Sequence, residues 1–273
     1  MATSTIRNTK ANRKSRIKVR QITHQDLRFS LKAGYADFLA MRGDLLFAGL
    51  MYVLVGALAA VVATSGNLLP FLFPVVAGVA FLGPVAAVGF YELARRREDG
   101  LESGWTHFLD VQKRPSADDI GIIAGMLLAI FALWLLTAGV LWAILFGAVA
   151  PTSIAEFLSM VFATPRGWML ILLGSAAGAI FGWLVMATSV VAMPMLVDRD
   201  MSASQAIRTS WRAVQANRNE MLRWGMIVTA LLVLGTIPLF IGLAFVLPWL
   251  GYSTWHLYTR LVDRDTLPRK PKR

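Results

Sequence analysis

The polar residues best spaced for chemistry lie where a long apolar run of the chain ends. Tyr91, Glu92, Arg95 and Arg96 come close together there, and spacings of three and four residues on a helix let Glu92 pair with either arginine. Two interpretations stay open: an aromatic anchor with a surface ion pair, or a docking site for anionic headgroups or a partner. Membrane interfaces collect these residue types in general, which favours the first.

Similar residues stand at the ends of two later apolar runs. Asp198 and Arg199 follow one run, and Trp255 with His256 lies near the end of the other. Aromatic and charged side chains at such places contact the headgroup layer. Under the second interpretation, the docking surface on the cytoplasmic face is made of Tyr91, Glu92, Arg95, Arg96, Asp198, Arg199, Trp255 and His256.

No pattern of a catalytic, cofactor or metal site accompanies these residues. No Asp, Glu, Lys or Arg lies deep in an apolar run, whereas proton relays and charge-coupled carriers need such groups. The histidines are His24, His107 and His256, too scattered to supply haem ligands, and cysteine is absent. Phosphate-binding loops, nucleophile elbows and zinc-spaced pairs are missing too. We predict no enzymatic activity and no cofactor.

The composition is typical of a membrane protein. Of the 273 residues, 56% are hydrophobic and 16% are charged, against about 25% charged in soluble domains. The apolar residues form long charge-free runs, which indicates an all-α, polytopic transmembrane protein. The net charge of +11 fits lysines and arginines kept on the cytoplasmic side, where they attract anionic lipid headgroups. Nucleic acid is not an expected partner.

The number of crossings depends on residues 225–258, which form the last apolar run. One crossing needs roughly 20 apolar residues, so this run is long for one helix and tight for two, and Pro238 and Gly242 lie near its middle. If the run is a hairpin, there are six crossings, and all lysines and arginines except Arg166 lie on one side. If it is one helix, there are five, and the basic C-terminal tail moves outside. The cytoplasmic bias of these cations favours six.

These elements predict a bundle of six transmembrane helices in three antiparallel hairpins, each preceded by an amphipathic segment on the inner surface. The first four spans are expected near residues 45–64, 68–94, 120–149 and 168–197. The amphipathic segments lie near 24–41, 100–112 and 202–217. Residues 1–21 are predicted to be a disordered basic arm, 22–262 the transmembrane domain and 263–273 a basic tail, with both termini in the cytoplasm.

Local patterns add detail to this fold. Ser153 with Glu156 and Ser202 with Gln205 are capping boxes, which predict helix starts. In the first amphipathic segment, Leu27, Leu31, Tyr35 and Phe38 follow at helical spacing. The spacing of Gly174, Gly178 and Gly182 predicts a face on which two helices pack closely.

Several stretches resemble a known family. They are residues 83–96, residues 248–258, Val197-Asp198-Arg199, the helix at residues 210–217, and Gly34 with Asp37. Together they resemble the bacterial family of predicted integral membrane proteins called domain of unknown function 2189, over about residues 22–262. The resemblance implies a bacterial inner-membrane protein with no assigned reaction. Some members carry a cytochrome-oxidase-like label, which the histidines here do not support.

Two classes of function follow. The first is a non-enzymatic scaffold, assembly factor or lipid-binding or partner-binding protein, which the basic ends and amphipathic segments favour; its partner is another membrane protein or a second copy. The second is a transporter or channel for a small neutral or anionic solute, in which helix breaks at prolines line a cavity. The candidate breaks are Pro74, Pro84, Pro194, Pro238 and Pro248.

Overall fold

The computed structural model describes residues 17–41, 66–147, 149–238 and 241–268, and these are largely helical. The α-helices are joined by short turns, several of them 3-10 helices, and the described residues contain no strand. In chain order they are α1 His24–Met41, α2 Leu72–Val79, α3 Gly83–Ala86, α4 Val88–Glu98, α5 Ala117–Phe146, α6 Ile154–Phe162, α7 Pro165–Ser189, α8 Ala192–Asp198, α9 Ala203–Ala216, α10 Arg218–Thr236 and α11 Leu243–Leu261.

Three helical segments of the described residues are long and apolar enough to cross a membrane. They are Leu69–Glu98, which contains α2 to α4, Ala117–Phe146, which is α5, and Pro165–Asp198, which contains α7 and α8. They coincide with the second, third and fourth predicted spans, so an all-helical membrane architecture is confirmed. The predicted first span, residues 45–64, lies outside the described residues, as do residues 1–16 of the arm and 269–273 of the tail.

The last apolar run is two helices. Helix α10 ends at Thr236 and α11 begins at Leu243, and the two helices meet beside this break. A Cβ atom on Gly242 would lie 2.8 Å from the backbone of Gly235, so only a residue without a side chain fits there. This geometry rules out one straight helix through residues 225–258. Neither helix is among the three segments of membrane-crossing length and composition.

Helix α1 packs along α11, and the two helices make one of the closest contacts in the molecule. A Cβ on Gly34 would lie 2.2 Å from Ser253 Oγ and 2.4 Å from its backbone nitrogen. The helix has the predicted bounds, but its buried side is Leu27, Ser30, Gly34 and Asp37. Of the expected apolar residues, Leu27 is buried in the core, Leu31 and Phe38 pack against the core, and Tyr35 is exposed. Small and polar residues form the contact because they let the backbones approach.

The core and the exposed apolar surface divide the molecule into two zones. Side chains of α4, α8, α9 and the second half of α11 form one buried cluster with residues 17–27 and the start of α5; we call this the polar end, because most of the charged side chains lie around it. Elsewhere along α5, α7 and α10, large apolar side chains are exposed, among them Leu136, Ile144, Leu172, Ile180 and Val233. We call this the apolar zone.

Two predicted helix starts have the expected caps. Ser153 Oγ accepts a hydrogen bond from the Glu156 amide at 3.2 Å, and Ser202 Oγ accepts one from the Gln205 amide at 3.4 Å. These satisfy amide groups that a helix start leaves without partners. The predicted amphipathic segment at residues 100–112 contains no α-helix. These residues form two 3-10 turns, Trp105–His107 and Asp110–Lys113, and the Phe108 ring packs against Gly89 and Phe90.

Candidate functional site

The polar end contains a buried ion pair on α4. Both Glu92 and Arg95 are almost completely buried. Arg95 donates two hydrogen bonds to the Glu92 carboxylate, at 2.6 and 2.9 Å, and a third to Asp99 at 2.9 Å. A bidentate pair of this kind offsets much of the cost of removing both charges from water. The helical spacing predicted the pairing but not its burial.

The segment between α4 and α5 forms a hydrogen bond with this ion pair. Arg114, just before α5, donates to the same Glu92 carboxylate at 2.9 Å. Burial lowers the pKa of the Arg114 guanidinium, and the Glu92 charge offsets part of that effect. Nearby, Arg96 lies 3.6 Å from Asp110. Hydrogen bonds from Lys113 and His107 lower the pKa of Asp110 to about 2, so this carboxylate stays charged at neutral pH.

Asp198 joins three elements of the polar end. This fully buried carboxylate at the end of α8 accepts hydrogen bonds from Tyr258 Oη on α11 and from Arg264 Nε, each at 2.9 Å. Arg199 also donates to it. Arg264 continues to Glu98 at the end of α4. Burial alone would lower the pKa of Arg264, but Asp198 and Glu98 outweigh it and raise that pKa.

A second carboxylate connects α1 to the same region. Asp37 on α1 lies 2.7 Å from His256 Nε2 on α11 and 3.0 Å from Arg97 Nε on α4. Trp255, the neighbour of His256, donates from its indole nitrogen to Glu98 at 3.0 Å. The helices α1, α4, α8 and α11 are thus held together by charged and aromatic side chains.

The two ends of the described chain pair with each other beside this network. Val19 and Val262 form an antiparallel backbone bridge, with hydrogen bonds from the Arg20 amide to Leu261 and from the Asp263 amide to Lys18. Asn217, before α10, accepts from the Ile22 amide at 2.8 Å. We call residues 17–22 with 261–266 the terminal clasp. Residues 17–21 of the predicted arm therefore have a fixed place.

The predicted docking residues all lie at the polar end, and most of them are engaged inside the protein. Tyr91, Glu92, Arg95, Asp198 and Trp255 are buried. Arg96, Arg199 and His256 are half-buried. Residues so enclosed reach a partner only if the polar end opens, and the docking role stays a prediction. The sequence did not identify four of the bonding partners in this network, which are Arg114, Glu98, Tyr258 and Arg264. The feature that could have indicated the charged partners is that residues of opposite charge stand at the ends of separate apolar runs.

The three predicted packing glycines lie along α7 in different surroundings. Beside Gly178 is the ring of Trp134 on α5, at 3.5 Å from a Cβ placed there, and beside Gly182 is Phe81 at 3.9 Å. Nothing described lies within 4 Å of such a Cβ on Gly174. At the two enclosed glycines, aromatic side chains fill the space next to the small residue. Among the described residues, no backbone atom of another helix lies within 4 Å of a Cβ placed on any of the three glycines.

The described side chains contain no group of three or more His, Asp or Glu that could hold a metal ion. Each charged group of the network is bonded to an opposite charge, a tyrosine, an indole or the backbone. An arrangement of this kind can fix helices relative to one another.

A sequence profile described as "Predicted integral membrane protein (DUF2189)" matches residues 72–198. This confirms the resemblance inferred from the sequence, over a little less than half of the chain. The matched residues include 83–96 and Asp198, while Gly34, Asp37 and residues 248–258 lie outside them. No match was found among curated proteins or among solved structures. The profile and the three segments of membrane-spanning length together identify an integral membrane protein.

Proposed function

We propose that this integral membrane protein is a non-enzymatic scaffold of the bacterial inner membrane, which holds a protein or lipid partner at its cytoplasmic face. The observation that supports this most directly is the ion network around Glu92 and Asp198. It joins helices α1, α4, α8 and α11 and the segment before α5. A buried network of paired charges favours one arrangement of the backbone, and a fixed face is what a scaffold presents.

The proposal includes a topology of six helical passages with both termini in the cytoplasm. The terminal clasp supports an even number of passages, since two backbone segments joined by hydrogen bonds lie on the same side of a bilayer. In this proposed topology, α10 and α11 are the fifth and sixth passages. This agrees with the distribution of lysines and arginines, of which only Arg166 falls on the opposite side.

A transporter for a small neutral or anionic solute is the second candidate, and broken helices favour it. The segment Leu69–Glu98 is divided into α2, α3 and α4, and α7 is separated from α8. Transporters use such breaks to expose backbone groups to a substrate. At the break between α7 and α8, one backbone amide already has a partner within the protein: the Val191 amide donates a hydrogen bond to Ser210 Oγ at 3.3 Å. That contact supports the scaffold, in which breaks serve packing.

Affinity purification from native membranes tests the scaffold. We expect a stable protein partner to copurify with the full chain, and its recovery to fall when residues 1–16, the basic arm before the clasp, are removed. Removal through Arg20 would break the Val19–Val262 bridge and confuse lost docking with lost folding. A chain lacking residues 269–273, which are also basic, is the matched control.

Two results would count against the proposal. Unchanged recovery of the partner without residues 1–16 would show that the basic arm takes no part in holding the partner. If no partner copurifies and the protein reconstituted in vesicles carries a neutral or anionic solute across the bilayer, the transporter replaces the scaffold.

A further inference from the structure

The exposed side of α1 carries an ordered series of side chains. Arg28, Lys32, Tyr35 and Leu39 are exposed and follow each other at intervals of four, three and four residues. Residues at these intervals lie on one line along a helix. The two cations occupy the first half of the line and the two large apolar side chains occupy the second half.

The contact between α1 and α11 fixes where this line points. Gly34 meets Ser253 on the opposite side of α1, and the Trp249 indole donates to the Leu31 carbonyl at 2.9 Å. The helices run antiparallel, because Asp26 is near Arg260 while Phe38 packs on Phe245, with ring centroids 6.2 Å apart. The cations therefore lie near the polar end, and the apolar pair lies toward the apolar zone.

Neighbouring side chains extend both halves of the line. Near the cations, the Arg260 guanidinium stacks over the Phe29 ring at 4.0 Å. Toward the apolar zone, Phe245 is 46% exposed, much like Tyr35 at 47% and Leu39 at 49%. The surface thus changes from cationic to apolar along one helix.

We propose that this surface, which we call the α1 stripe, binds an anionic phospholipid of the inner leaflet. Arg28, Lys32 and Arg260 would contact the phosphate, and Tyr35, Leu39 and Phe245 would pack on an acyl chain. The inference rests on the proposed topology, which places the polar end at the cytoplasmic leaflet. Cations there attract acidic lipids, and long basic side chains reach the headgroups while their stems stay apolar.

The order of the side chains favours a lipid over other anions. A free phosphate would use the cations and leave the exposed rings and Leu39 without a role. An amphiphilic molecule matches both halves, because its charge and its apolar chain are joined end to end as they are in the stripe. Residues on one rigid helix also hold the two halves at a fixed spacing.

Native mass spectrometry of the purified protein in micelles doped with phosphatidylglycerol or phosphatidylcholine tests the proposal. We expect the wild type to retain phosphatidylglycerol in preference. The double variant Arg28→Gln/Lys32→Gln should bind it roughly thirtyfold more weakly, since each such cation near the surface contributes about 1 kcal/mol. The control Lys113→Gln/Arg208→Gln removes two exposed cations elsewhere at the polar end and should keep the preference. Tyr35→Ser/Leu39→Ser should weaken retention of both lipids.

Equal retention of the two lipids by the wild type would overturn the proposal. So would an Arg28→Gln/Lys32→Gln variant that is as selective as the control, or a control that loses selectivity to the same degree, which would indicate a diffuse charge effect. Unchanged melting temperatures show that each variant folds. The scaffold is judged separately, because its test is recovery of a protein partner that depends on residues 1–16.

Discussion

Replacing Asp198 with Asn should destabilise the protein more than any change to a surface ion pair. The substitution keeps the shape but removes the charge of a fully buried carboxylate. Arg264 and Arg199 then lose their buried counter-charge. Removing one member of a buried pair costs about 3–5 kcal/mol, because the other charge stays desolvated.

The expected loss is somewhat smaller here for two reasons. The Arg264 side chain is 20% exposed and keeps its contact with Glu98, and the new amide oxygen can still accept from Tyr258. We expect a loss of about 2–3 kcal/mol. At about 2–4 °C for each kcal/mol, the melting temperature in detergent should fall by roughly 4–12 °C.

The matched control is Asp263→Asn. Asp263 pairs with Arg20, whose side chain is 53% exposed, and an exposed pair contributes about 0–1 kcal/mol. Its melting temperature should therefore change little. Combining Asp198→Asn with Tyr258→Phe should give less than the sum of the single effects, because both act on the same hydrogen bond: the first removes the charge of its acceptor and the second removes its donor. Equal shifts for Asp198→Asn and Asp263→Asn, or strict additivity of the Asp198 and Tyr258 variants, would refute the network as the source of rigidity.

Three further predictions test other parts of the structure. Gly34→Ala should lower the melting temperature, because the new Cβ would clash with the backbone of α11 at a cost of about 1–3 kcal/mol. The control Gly174→Ala has open space beside the new Cβ and should leave the melting temperature unchanged. The pKa of Asp110 is lowered to about 2 from 3.8, so its contribution to stability should be fully present above pH 4 and lost as the pH falls toward 2. In the Asp110→Asn variant, the free energy of unfolding, measured as a function of pH, should change less between pH 4 and pH 2 than in the wild type. The pair Val19→Cys/Val262→Cys should form an intramolecular disulfide when isolated membranes are oxidised, visible as a gel shift. The two residues are a non-hydrogen-bonded antiparallel pair, in which Cα atoms lie about 4.5 Å apart. A lack of crosslinking would show that the two segments are not paired.

Much of the helical layout could be predicted from the sequence. The lengths of the apolar runs located the segments that contain α5 and α7, because a bilayer fixes how many apolar residues a helix needs. The caps at Ser153 and Ser202 could be predicted because a capping box is a local pattern of four residues. The division between α10 and α11 follows from Pro238 and Gly242, which disfavour a continuous helix.

The candidate site could be predicted only in part. Glu92 and Arg95 pair through a helical spacing that is visible in the sequence. The partners of Asp198 are not, since Tyr258 and Arg264 lie 60 and 66 residues away. Charges at the end of an apolar run look the same whether they are solvated or paired across the fold. The side of α1 that packs on α11 could not be predicted for a similar reason: hydrophobicity singles out Leu31, Tyr35 and Phe38, while close approach of two helices selects Gly34.

The position of the network explains how such an apolar chain can have a defined structure. Between helices in lipid there is little hydrophobic driving force, because lipid tails are as apolar as leucine. In the apolar zone, contacts between α5 and α7 therefore depend on shape, as where Trp134 covers Gly178. At the polar end, a misplaced helix would leave Glu92 or Asp198 buried without a counter-charge, and that alternative is disfavoured by several kcal/mol. The polar end thus specifies which helices are neighbours, and the apolar zone is free to adapt to the lipid around it.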